Sequence, residues 1–122
     1  MKSRILVADD NPLIRKMLCE LFANHAYLEI CDEAVNGQDA VEKARRLRPD
    51  LVILDFSMPI MNGLQAAREI CKVLPTVPII LFTMFAHAIE LSEATTPGVT
   101  RVVSKNEAST VVGHAEELLQ VA

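Results

Sequence analysis

The feature that most constrains this chain is Leu51-Val52-Ile53-Leu54, four consecutive branched apolar residues that end abruptly on Asp55. An unbroken run of this kind reads as a strand buried on both faces, as in a parallel sheet covered by helices. A carboxylate contributes nothing to burying such a strand. At its C-terminal tip it points instead into the crevice where open α/β sheets hold their ligands. Met58-Pro59 then stops the strand, and Asn62-Gly63 turns the chain into the next helix.

The same plan repeats along the sequence. Arg4 to Ala8 is a second apolar run that ends in acid, at Asp9-Asp10, and Asn11-Pro12 supplies a side-chain cap followed by proline at a first helical position. Ile14, Met17, Leu18 and Leu21 follow at the spacing of a buried helical stripe. Leu28 to Ala34 mixes apolar residues with Glu29 and Asp32, as an edge strand does. Asn36-Gly37 opens a second helix with Ala40, Val41, Ala44 and Leu47 inward, ended by Pro49. The helix after Gly63 turns Leu64, Ala67, Cys71 and Leu74 to one side. Val77 to Thr83 reads as a fourth strand, 86 to 96 as a helix cut short by Thr95-Thr96-Pro97-Gly98, and Arg101 to Ser104 as a fifth strand ending at Lys105. A last helix uses Val112, Ala115, Leu118 and Leu119. Five strands alternating with five helices through short loops predict a parallel sheet with helices on both faces, because each crossover is right-handed and spans the sheet.

Composition limits what such a domain does. The 122 residues, 51% hydrophobic, suit one domain over 1–122. A formal charge of −4 gives no broad cationic surface for nucleic acid or anionic lipid. No apolar stretch approaches the roughly 18 residues of a membrane span, and no secretion signal precedes the first strand, so a soluble, cytoplasmic protein is expected. Cys19, Cys31 and Cys71 are odd in number and sit among apolar neighbours, which predicts buried free thiols. Arg45, Arg46 and Arg48 read as cations complementing a helix end. Neither G-x-G-x-x-G nor G-x-x-x-x-G-K-[ST] occurs, so nothing points to a dinucleotide or P-loop site.

The chemistry lies in where the polar residues fall. Asp9-Asp10, Asp55, Thr83 and Lys105 all stand at C-terminal strand ends and so face one crevice. Three carboxylates held together repel and tend to protonate unless a cation intervenes. Mg²⁺ fits, since it takes one or two carboxylates, keeps waters and completes its octahedron with phosphate oxygens. Lys105 adds a point charge and Thr83 a neutral donor around a tetrahedral anion. Asp55 needs no general base to attack phosphorus, and the expected product is an aspartyl phosphate. Taken singly, each residue has a plainer reading: Asp9-Asp10 as a helix N-cap, Thr83 as a local cap, Lys105 as a solvated lysine.

With the acid pair after strand one, Asp-x-x-Met-Pro-x-Met-Asn-Gly at 55 to 63, Thr83 and Lys105, the chain resembles the receiver domain of two-component response regulators over essentially its whole length. The resemblance implies a flavodoxin-like sheet of order 2-1-3-4-5, with Asp55 phosphorylated by a histidine kinase's phosphohistidine. It implies Mg²⁺ held by Asp10, Asp55 and the backbone carbonyl of Ser57, with Asp9 assisting through water. It further implies that Thr83 and Lys105 contact the phosphoryl oxygens, that Thr83 moves toward them, and that the face made by the fourth helix, fifth strand and fifth helix rearranges to bind a partner or a second copy. Asp-Phe-Ser-Met-Pro and Leu-Phe-Thr-Met are most similar to receivers that precede a helix-turn-helix DNA-binding module, which leaves two expectations open, a single-domain regulator acting by protein contact or a receiver with a DNA-binding output beyond Ala122, with no DNA contact by this portion in either. Two positions depart from the pattern: Val102 replaces the usual switch aromatic, and Asn106 replaces the proline that often follows the lysine.

Two other classes compete with this reading. A phosphatase or phosphotransferase with an aspartyl nucleophile wants a second acid two residues on, where Ser57 stands. A receiver-like interaction module that has lost its switch would have no need of Asp9, Asp10, Asp55, Thr83 and Lys105.

Overall fold

Five parallel strands pair in the order β2-β1-β3-β4-β5: β1 is Ser3–Ala8, β2 Leu28–Ala34, β3 Leu51–Leu54, β4 Ile79–Thr83 and β5 Arg101–Ser104. The computed structural model describes residues 1–86 and 98–121. Among these, four α-helices flank the sheet: α1 Pro12–Phe22, α2 Gly37–Leu47, α3 Gly63–Val73 and α4 Val111–Leu119. A 3-10 segment, Lys105–Thr110, leads from β5 into α4. Beyond Ala86, the helix expected over 86 to 96 lies outside the described residues. No helix among them is long and apolar enough to cross a membrane.

The unbroken apolar runs follow from a sheet with a core on each face. Leu6, Ala8, Val52, Leu54, Ile79 and Leu81 meet the small residues Ala40, Ala44, Ala66 and Ala67 of α2 and α3. Their alternates Ile5, Val7, Leu51, Ile53, Ile80 and Phe82 meet Leu18 and Phe22 of α1 and Val111 and Ala115 of α4. Central strand β3 pairs Val7↔Ile53 with β1 and Ile53↔Ile80 with β4, and all four of its residues are buried because helices cover both faces. Edge strand β2 is fully buried only at Leu28 and Ala34.

Three asparagines start helices at the same end of the sheet. Asn11 Oδ1 accepts from Leu13 N, Asn36 Oδ1 from Asp39 N, and Asn62 Oδ1 from Gln65 N, with the Gln65 side chain returning to Asn62 N as a capping box. Between β3 and α3 the chain reverses in a three-residue turn closed by Met61 N on the Pro59 carbonyl at 2.7 Å. Ile60 at its centre has φ 70, a conformation a β-branched residue adopts only at a cost. The tight reversal lets Gly63 abut the backbone of Asp55, where a Cβ would overlap the Asp55 carbonyl.

Several expectations are corrected in detail. The α1 stripe ends on Phe22, 2% exposed, and not on Leu21, 37% exposed, because the ring one position further closes the gap against the sheet. Helix α3 is rotated so that Ala66, Ala67, Ile70 and Leu74 are buried while Leu64 and Cys71 are half-buried. All three cysteines are free, as expected, but half-buried rather than enclosed. Strand β4 begins at Ile79, since Pro78 cannot donate to the ladder. Arg45 and Arg46 do occupy the last turn of α2, whereas Arg48 forms its left-handed C-cap with φ 48. The geometry of the Lys105–Asn106 peptide, which the sequence leaves open, is trans.

Candidate acidic site at the strand tips

Each strand's last ladder bond aims the residue that follows it. Asp9 N donates to Ala34 O at 3.1 Å, and Asp55 N donates to Ala8 O at 2.9 Å, so the tips of β2, β1 and β3 are stitched side by side. Asp9, Asp10 and Asp55 thereby come together, each offering a carboxylate oxygen within 4.8 Å of the others. Asp9 and Asp55 are buried and Asp10 is exposed at the mouth.

Lys105 closes the group from β5. Its Nζ lies 2.8 Å from Asp9 Oδ2 and 3.1 Å from Asp55 Oδ1, with the side chain only 13% exposed. The solvated reading of Lys105 is therefore excluded. The N-cap reading of the acid pair is replaced as well: Asn11 is the cap, and Asp9 Oδ1 instead accepts from Asn11 N at 2.9 Å.

Electrostatics follow from burial and charge. Desolvation, then the neighbouring Asp9 carboxylate, pushes the Asp55 carboxyl above its usual range, against the opposing pull of Lys105. Burial by itself would lower the Lys105 ammonium, but its hydrogen bonds to Asp9 and Asp55 outweigh this and raise it. One ammonium thus faces three carboxylates, and the donor set is all oxygen. That is the composition a hard divalent cation takes.

Thr83 is fully buried at the tip of β4. Its Oγ1 accepts from Phe85 N at 3.1 Å, which is the local bond of the plainer reading. Ser57 lies on the exposed loop two residues beyond Asp55, and Phe56 packs edge to face against Phe85 with ring centroids 6.1 Å apart. Val102, partly buried, packs against the core under α2 and α3 and pairs with Leu81.

Two residues of the surroundings escaped the sequence reading. Arg15 donates from Nη1 to the Asp9 carbonyl at 2.8 Å and from Nε to Glu33 Oε1 at 3.0 Å. In sequence both look like ordinary surface charges. Only the four-residue interval from the Asn11 cap hints that Arg15 returns, one turn on, to the side of the strand tips.

The family model for the response regulator receiver domain matches residues 5–115. Among curated proteins, a protein-glutamate methylesterase/protein-glutamine glutaminase of Vibrio vulnificus is 44% identical over 87 residues, which are 71% of this chain and 23% of that protein. The chain thus spans about a quarter of the length of the curated relatives it matches. Among solved structures, the response regulator domain of Thermotoga maritima CheB superposes with a TM-score of 0.89 at 24% identity, covering 100% of this chain and 99% of that one. A LuxR-family DNA-binding response regulator from Staphylococcus aureus superposes with a TM-score of 0.84 at 27% identity, covering 96% and 98%.

Proposed function

This chain belongs to the response regulator receiver domain family, and we propose that within it Asp55 takes a phosphoryl group from the phosphohistidine of a sensor histidine kinase. The observation that carries the assignment is the convergence of Asp9, Asp10 and Asp55 within 4.8 Å, with Lys105 Nζ 3.1 Å from Asp55 Oδ1.

In the transfer, an oxygen of the Asp55 carboxylate forms a bond to phosphorus as the phosphorus–nitrogen bond of the donor breaks, and the imidazole leaves with that electron pair. The nucleophile is a carboxylate, so no proton need be removed to activate it. Positioning and charge carry the step. Lys105, held between Asp9 and Asp55, is placed to neutralise phosphoryl oxygens, and Thr83 to donate to one of them. Asp10, Asp55 and the Ser57 carbonyl would hold Mg²⁺ with Asp9 in support, and that ion supplies further positive charge to the same oxygens.

The receiver does not turn over substrate itself; its state passes to an output. The surface of β5 and α4 is proposed to change with phosphorylation and to engage a partner, a second copy or an attached module. Two outputs have support among relatives: the LuxR-family neighbour is a DNA-binding regulator, and the curated relative is a methylesterase. Sharing of one receiver pattern between them favours a switch whose output lies in what it is joined to.

Incubation with acetyl phosphate and Mg²⁺ tests the proposal. A mass gain of one phosphate on Asp55, absent in Asp55→Asn and without Mg²⁺, is expected. No gain, or a gain elsewhere, overturns it, and turnover of many equivalents of a phosphoester would identify an enzyme instead.

A further inference from the structure

We infer that Arg15 is a positioning residue of the acidic site, holding the tip of β1 so that Asp9 and Asp10 present their carboxylates to a divalent cation together with Asp55. The inference rests on the proposed phosphoryl-accepting reading and concerns a residue outside its reacting groups.

Asp9 is anchored on every side. Its backbone N–H is taken by Ala34 O, its Oδ1 by Asn11 N and its Oδ2 by Lys105. The one remaining group is the backbone carbonyl, at the start of the peptide that joins Asp9 to Asp10. Arg15 Nη1 occupies it at 2.8 Å. Orientation of that peptide sets where the Asp10 carboxylate points, because Asp10 lies beyond the last residue of β1 and is exposed, with no strand pairing to hold it.

The guanidinium is itself fixed from behind. Glu33, on β2, accepts from Arg15 Nε at 3.0 Å, and its other oxygen lies 3.6 Å from Cys19 Sγ. Arg15 is therefore a strut with one prong on the site and the other on the edge strand, and its side chain is only 16% exposed. A planar fork reaches both acceptors at once, whereas an ammonium on a flexible stem satisfies one at a time. The guanidinium grips only the backbone carbonyl, so both carboxylate oxygens of Asp9 stay with Asn11 N and Lys105.

Calorimetric titration of the whole chain with Mg²⁺ alone, without phosphodonor, tests the inference. Arg15→Met keeps the apolar stem and removes both prongs; it is expected to weaken Mg²⁺ binding by about tenfold, with Arg15→Lys intermediate. Acetyl phosphate labelling of Arg15→Met should be slow at low Mg²⁺ and approach wild type when Mg²⁺ saturates. A purely structural role would lower the melting temperature and leave the Mg²⁺ dissociation constant unchanged, and that result overturns the inference. Should Arg15→Met fail to fold, Arg15→Lys and Glu33→Gln carry the same comparison. Wild-type protein that neither binds Mg²⁺ nor gains phosphate instead refutes the underlying proposal, so the two failures are distinguishable.

Discussion

Lys105 Nζ stands 2.8 Å from Asp9 Oδ2 and so joins strand tips 96 residues apart in sequence. The ammonium is the sole cation in contact with the carboxylates of Asp9 and Asp55 among the described residues, and both acids are buried. Taking away one member of a buried pair leaves the other charge uncompensated, at about 3 kcal/mol or more. Lys105→Met should lose roughly that much stability in urea unfolding without metal. Mg²⁺ replaces the missing charge, so adding it should restore most of the loss. Equal destabilisation with and without Mg²⁺ would show that the ion does not enter this cluster. Labelling by acetyl phosphate should continue in the variant, slower by on the order of 10².

Asp55 carries a stability cost that depends on pH. Its carboxyl is pushed up in the folded chain by desolvation and by Asp9, so on raising pH the unfolded chain loses this proton first and the native state is penalised. The penalty is absent below the ordinary carboxylate range, near 3.9, and grows as pH climbs through the raised folded value. Asp55→Asn removes it, and should stabilise the metal-free protein by about 0.5–2 kcal/mol at neutral pH while abolishing phosphorylation. Denaturation at a series of pH values checks this: the variant's advantage must shrink as pH falls.

Gly63 begins α3 where a side chain would overlap the Asp55 carbonyl, and its own N–H donates to Phe56 O at 2.8 Å. Gly63→Ala must push the helix start and the β3–α3 loop apart. A loss of about 1–3 kcal/mol is expected, the range of an overpacked core, with slower labelling of Asp55. Unchanged stability in urea would mean that the loop yields freely and does not set the position of the acid.

How much of this was legible before the structure depends on how each residue is held. Asp55 stood out because a charge directly after four buried apolar positions has no packing rationale, and Asp9 and Lys105 could be joined to it because residues at parallel strand tips share one edge. Periodicity was less decisive within α1, where Leu21 and Phe22 both fit the spacing and only the shape of the sheet beneath selects the ring. The cysteines look enclosed because their sequence neighbours are apolar, yet the half-burial of Cys19 and Cys71 depends on helix rotation, which a one-dimensional pattern leaves open by about a residue, and that of Cys31 on its place in edge strand β2. Arg15 and Glu33 are hidden for a different reason: a strut is defined by its two ends, and although the Asp9 carbonyl is six residues from Arg15, the Glu33 end is eighteen residues away on the edge strand.

Thr83 is where occupancy of the site becomes visible in the backbone. Its hydroxyl is fully buried and accepts from Phe85 N at 3.1 Å, while its own O–H keeps its capacity to donate. A shift of Thr83 toward a phosphoryl oxygen on Asp55 would stretch the bond from the Phe85 amide. Phe85 also packs edge to face on Phe56, the neighbour of Asp55, so the same movement should disturb that aromatic pair. Beryllofluoride with Mg²⁺ should therefore change the Phe85 amide shift and speed its hydrogen exchange, whereas Thr83→Ala should show fast exchange at Phe85 already without the ligand. Because Val102 rather than an aromatic lies beside this strand, packed and paired with Leu81, the change should reach the β5 surface without a ring flip. A Phe85 amide equally protected in free and beryllofluoride-bound protein would remove Thr83 from the switch.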